Sequence, residues 1–78
     1  MENEVLSILK ELQPTFEFEE GVDFIASGYL DSFDIVTLVA GLEEKYGVAI
    51  SALDIIPENF SSVQNICGLV NNSSKKNG

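Results

Sequence analysis

Gly28-Tyr29-Leu30-Asp31-Ser32-Phe33-Asp34-Ile35-Val36 is the stretch that organises this chain. It sets a serine between a long connecting segment and the first turn of an apolar-periodic helix. Asp31 has the side chain to cap that helix, and Asp34 stands in its first turn. Downstream, Ile35, Leu38, Val39, Leu42 and Tyr46 recur at helical spacing and form one stripe for burial. Gly47 follows where a helix commonly ends in a left-handed residue. The spacing predicts a helix over residues 32–46 with Ser32 at its head.

Two further helices flank it. Val5, Ile8, Leu9 and Leu12 mark one over residues 2–13, with Asn3 as candidate N-cap and Pro14 as its stop. Val63, Ile66, Cys67 and Val70 mark another over residues 62–70, with Ser61 and Gln64 at the spacing of a capping box. The connection over residues 14–31 is long, yet it holds Phe16, Phe18, Val22, Phe24, Ile25 and Leu30. That apolar weight predicts an ordered loop pinned to the helices by its aromatics. The connection over residues 48–60 carries Ile50, Leu53, Ile55 and Ile56 ahead of Pro57, and is expected to hold one short helical turn. No strand pair with a hairpin signal is visible. The expected fold is all-α: a small bundle of three main helices plus one short helix, with a long first loop. Residues 1–71 form the expected domain. Residues 72–78 form a flexible polar tail, with fraying expected from about Asn71.

Composition narrows the function classes. Seventy-eight residues make one small domain, and a domain this size buries only about 60% of its unfolded surface. One cysteine excludes an internal disulfide, and without any histidine a structural zinc site is not expected. The apolar runs are too short to span a membrane. Met1-Glu2-Asn3-Glu4 is acidic where a secretory signal is basic, so the expected location is cytoplasmic. Thirteen acids face four lysines, two of which, Lys75 and Lys76, lie in the polar tail. Such a field repels nucleic acid and anionic membrane and steers basic protein surfaces toward the domain. Acidity of this kind also serves solubility alone.

The chemistry of Ser32 follows from its place. The first amides of a helix lack internal partners and carry partial positive charge, which favours a phosphate attached there. Nothing close in sequence activates the hydroxyl: there is no histidine and no nearby lysine. Ser32 is therefore a poor self-contained nucleophile and a good substrate for another enzyme's base. No metal site or phosphate-binding glycine loop accompanies it, so no catalytic residue is assigned. On Leu30-Asp31-Ser32 alone, two readings stand: a plain capped helix start, and a site of modification.

The wider constellation resembles the acyl carrier protein family. The matching residues are Phe24-Ile25, Gly28 through Asp34, Val36, Leu38-Val39, Leu42-Glu43-Glu44-Lys45-Tyr46-Gly47 and Ile50, and with the outer helices the likeness covers residues 3–71. The resemblance implies that Ser32 receives 4'-phosphopantetheine from coenzyme A through a magnesium-dependent phosphopantetheinyl transferase. It implies that cargo rides as a thioester on the arm's thiol. It further implies a protein that is not an enzyme, served by an acyl- or aminoacyl-loading enzyme and by downstream acyl-transferring or condensing enzymes, as in fatty acid or polyketide biosynthesis; a monomer is expected. Cys67 lies on an apolar stripe and is expected to be inert core, not that thiol.

The likeness also implies a docking face on the second helix beside Ser32. Phe33, Val36, Thr37, Ala40 and Glu44 lie on or near it by helical spacing. Phe33 has two readings, packing back on the loop with Tyr29 or contact with a partner. Asp34, Glu43, Glu44, Asp54 and Glu58 are acids available to a partner's lysines or arginines. The chain departs from carriers of dissociated fatty acid synthesis in three places: Thr37 where an acid is usual, a less acidic Ser51–Pro57 segment, and Phe33 where leucine is usual. Those departures make it similar to specialised stand-alone carriers, D-alanyl or aminoacyl, loaded by a separate adenylating enzyme. The glycine-rich run usual before the serine of peptide-synthetase carriers is absent. From another class, an unmodified helical interaction module stands as the alternative.

Overall fold

Helix α1 spans Glu2–Leu12, and the computed structural model describes residues 1–75. Val5 and Leu9 are fully buried, while Ile8 and Leu12 are half-buried at the edge of the core. Its N-cap is Met1 and makes no side-chain cap bond; Asn3, expected to cap, lies two residues further on, inside the helix. Glu2 and Glu4 in the first turn suit the positive end of the helix dipole. Gln13, kept out of the α region by Pro14, ends it at φ −136° and ψ 79°.

Helix α2 spans Ser32–Tyr46. Leu38, Val39 and Leu42 are buried, and Ile35 and Tyr46 flank them half-buried. Gly47 closes the helix at φ 63° and ψ 38°, the left-handed geometry its sequence position calls for. Helix α3 spans Val63–Asn72 and buries Ile66, Cys67, Leu69 and Val70. Its cap is Ser62, whose Oγ accepts from the Asn65 amide at 3.1 Å. The capping box expected from Ser61 and Gln64 does not form; the cap moves one residue to Ser62 and is one-sided. Ser61 Oγ instead donates to the Glu58 carbonyl at 2.9 Å and accepts from Asn65 Nδ2 at 3.0 Å.

The first connection is ordered around its aromatics. Phe16 stacks on Tyr29 with centroids 4.5 Å apart, and Phe18 meets Phe24 edge-on at 5.0 Å. Asp23 Oδ1 accepts from the amides of Ile25 and Ala26, which starts a turn, and Gly28 at φ 77° completes it. The Phe24 amide donates to the Ser61 carbonyl at 2.9 Å and ties the loop to the far connection.

That far connection holds two 3-10 turns, Ala52–Asp54 and Pro57–Phe60, rather than one. The reason is Pro57. It forces Ile56 to φ −123° and ψ 152°, which splits the segment. Phe60, at the end of the second turn, is fully buried.

Two short strands were not legible as a hairpin. Strand β1, Val48–Ala49, pairs antiparallel with strand β2, Ser74–Lys75, with Val48 opposite Lys75 and Ala49 opposite Ser74. The segment expected to fray from Asn71 thus begins as the last turn of α3, through Asn72, and continues into this pair. The rest of the tail, 76–78, lies outside the described residues. Among the described residues no helix is long and apolar enough to cross a membrane.

Candidate functional site

Ser32 is the first residue of α2 and is exposed. The head of the helix is fixed by a reciprocal pair of bonds. Asp31 Oδ1 accepts from the Asp34 amide at 2.8 Å, and Asp34 Oδ2 accepts from the Asp31 amide at 3.3 Å. Gln13 Nε2 donates to the same Asp34 oxygen at 2.9 Å, joining the end of α1 to the start of α2. Asp34 is only 8% exposed. By sequence it is an acid available to a partner, but it is committed inside the fold. Glu43 is committed likewise: its Oε2 accepts from the Ile50 amide at 2.9 Å.

Between these anchors Ser32 is free. Asp34 and Ile35 use the Asp31 side chain and carbonyl, respectively. The amides of Ser32 and Phe33 have no partner among the described residues, nor has the Ser32 hydroxyl. Two unpaired N–H groups at a helix head form a natural cradle for a phosphate oxygen. A phosphate ester on Ser32 therefore fits the residues present. The cap that holds this turn uses side chains of Asp31 and Asp34 and leaves both amides available.

The proposed docking residues are brought together on the outward side of α2. Phe33 is 78% exposed and Val36 66% exposed, and Thr37, Ala40 and Glu44 are exposed with them. Thr37 Oγ1 donates to the Phe33 carbonyl at 3.1 Å. Packing of Phe33 on the loop with Tyr29 is not observed, because Tyr29 already stacks on Phe16. Asp54 and Glu58 are exposed in the two 3-10 turns. Leu53, 88% exposed, and Ile55 and Ile56, also exposed, are apolar surface residues without a site role expected from sequence. Their signal is three apolar residues close together in a short loop without a period to bury them.

Cys67 is buried on α3 and carries no part of this site. Burial, and then the charge of Glu2, push its thiol above the ordinary value, against a smaller opposing effect of the N-terminal ammonium. That keeps it protonated and unreactive. Among the described residues no group of three or more Cys, Asp or Glu side chains is arranged to hold a metal ion.

A family model described as a phosphopantetheine attachment site matches residues 3–70. No curated protein and no solved structure gives a significant match. Members of that family carry covalently attached 4'-phosphopantetheine, receive it from a phosphopantetheinyl transferase and hand cargo to partner enzymes. The match runs from α1 through α2 into α3 and includes the turn at Ser32, and the chain belongs to this family of phosphopantetheine-bearing carrier proteins.

Proposed function

We propose that Ser32 is the residue that bears the 4'-phosphopantetheine, and that the chain carries an acyl group on it as a thioester between the enzymes of an acyl-building pathway. The observation that supports this is the exposed, unbonded Ser32 hydroxyl beside two unpaired amides at the head of α2. The prosthetic group supplies a flexible arm ending in a thiol. This chain supplies position and recognition. The Ser32 oxygen forms the new bond to phosphorus as the adenosine bisphosphate part of coenzyme A leaves. The serine proton passes to a base of the transferase, because this chain has no histidine and no hydrogen bond to that hydroxyl among the described residues. The chain is in this reading a substrate and not a catalyst, cytoplasmic and monomeric.

Intact mass before and after incubation with coenzyme A, magnesium and a broad-specificity transferase tests the assignment. The expected result is a gain of one phosphopantetheine that Ser32→Ala abolishes while its melting temperature stays within a few degrees of wild type. A gain retained by Ser32→Ala places the arm elsewhere. No gain with several transferases favours the unmodified interaction module.

A second reading concerns cargo. The exposed, apolar Leu53-Asp54-Ile55-Ile56 segment and the neutral Thr37 favour a D-alanyl or aminoacyl carrier served by a separate adenylating enzyme. Loading of the modified protein with an amino acid by such an enzyme, but not with a malonyl group from malonyl-coenzyme A by an acyltransferase, separates the two.

A further inference from the structure

Helices α1 and α2 leave between them a groove of about 600 Å³, away from Ser32. Its floor is Ile8, Leu12, Leu38 and Gly41, and Glu11 and Glu44 stand on its rim. Gly41 keeps it deep. That residue sits in the interior of a 15-residue helix, where glycine is a less stable choice than alanine. Its φ is not positive, and a Cβ would meet only Ile8 Cγ2, at 3.9 Å, an ordinary contact. Folding therefore does not require a glycine there, and what its missing side chain provides is space.

The groove is also held at both ends. Gln13 bonds Asp34 at one end, and Tyr46 and Lys45 reach Glu4 at 3.1 and 3.8 Å at the other. Lys45, the cation that lines the groove, is thereby turned toward Glu4. Glu11 and Glu44 have no ion-pair partner among the described residues, so an apolar floor lies under two free carboxylates.

We propose that this groove seats an amphipathic helix of a partner protein, with apolar side chains one turn apart on the floor and lysine or arginine opposite Glu11 and Glu44. Thr37 and Glu44 make it continuous with the outward side of α2. A partner that reaches Ser32 across that side can thus anchor on α1 as well. Occupancy does not need the prosthetic arm, so the inference stands or falls apart from the Ser32 assignment.

The test titrates the whole isotopically labelled chain with a synthetic helical peptide of leucine and lysine, its leucines at i, i+3, i+4 and i+7. The largest amide shifts are expected at Ile8, Leu12, Leu38 and Gly41, with Ser32→Ala binding as wild type does. Gly41→Leu, which fills the floor, is expected to weaken binding about tenfold or more. Should Gly41→Leu not fold, a charge comparison decides. Glu11→Gln with Glu44→Gln is expected to weaken binding several-fold more than Asp54→Asn with Glu58→Gln, which removes the same charge elsewhere. Equal weakening by the two pairs, shifts centred on Phe33, Val36 and Leu53, or no binding would each overturn the proposal.

Discussion

The two ends of α2 are both tied to α1, but by different physics. At the Ser32 end the Gln13 bond from the end of α1 lands on the Asp34 carboxylate, which is buried and also closes the local capping box with Asp31. At the Tyr46 end they are exposed. Tyr46 Oη donates to Glu4 Oε1 at 3.1 Å, and Lys45 lies 3.8 Å from the other oxygen, with both charged side chains about half in water. Buried hydrogen bonds to a charged group are worth more than exposed ones, since water competes less for the same atoms. The tighter hold thus falls at the end where the proposed function needs Ser32 presented, and the other end is held mainly by the apolar stripe.

The sharpest way to break this contrast is Asp34→Ala. It removes an acceptor used by two donors and leaves the Asp31 amide and Gln13 to find water. A loss of about 1–3 kcal/mol is expected in urea unfolding. Asp31→Ala removes one half of the cap and is expected to cost about 0.5–2 kcal/mol. It should also slow modification of Ser32, because the first turn of α2 then frays. Normal melting together with a normal modification rate in Asp31→Ala would contradict the link between cap and presentation. At the other end, Glu4→Gln is expected to cost no more than about 1 kcal/mol, and less as salt is raised. A larger loss from Glu4→Gln than from Asp34→Ala would reverse the comparison.

The same contrast separates what the sequence disclosed from what it hid. The three helices were legible because their apolar residues repeat at helical spacing and their ends carry Pro14, Asp31 and Gly47. The ordered first loop was legible from its aromatics. Adjacent serines blurred the start of α3: Ser61 and Ser62 are equally good caps by type, and the choice depends on where Val63 packs. The β1–β2 pair was invisible because two residues per strand carry no alternation and the partners lie far apart in sequence. At the site, the serine and its cap could be read from local order. The commitment of Asp34 to Gln13 and of Glu43 to Ile50 could not, since each depends on how separate segments meet. A carboxylate on a helix reads as solvated until the neighbouring backbone is placed. For the same reason the exposure of Leu53, Ile55 and Ile56 was not foreseen: apolar type alone suggests core.

The smallest effect expected is also the most specific to one end. Burial, then the hydrogen bond to Glu4 and the charge of Glu4, with a lesser effect of Cys67, push the Tyr46 hydroxyl from 10.0 to about 12. The folded state therefore holds this proton more tightly than the unfolded chain does. Its contribution to stability is complete below pH 10 and is lost as pH rises from 10 toward 12. The stability gap between wild type and Tyr46→Phe should then shrink across that window, while the gap between wild type and Asp31→Ala should not follow it. Urea midpoints at several alkaline pH values read both gaps, and phenolate absorbance locates the titration. A Tyr46→Phe gap that stays constant through pH 12 would show that the Glu4 contact does not hold the phenol in the folded protein. The tie at that end would then reduce to the Lys45 ion pair and the packing beneath it.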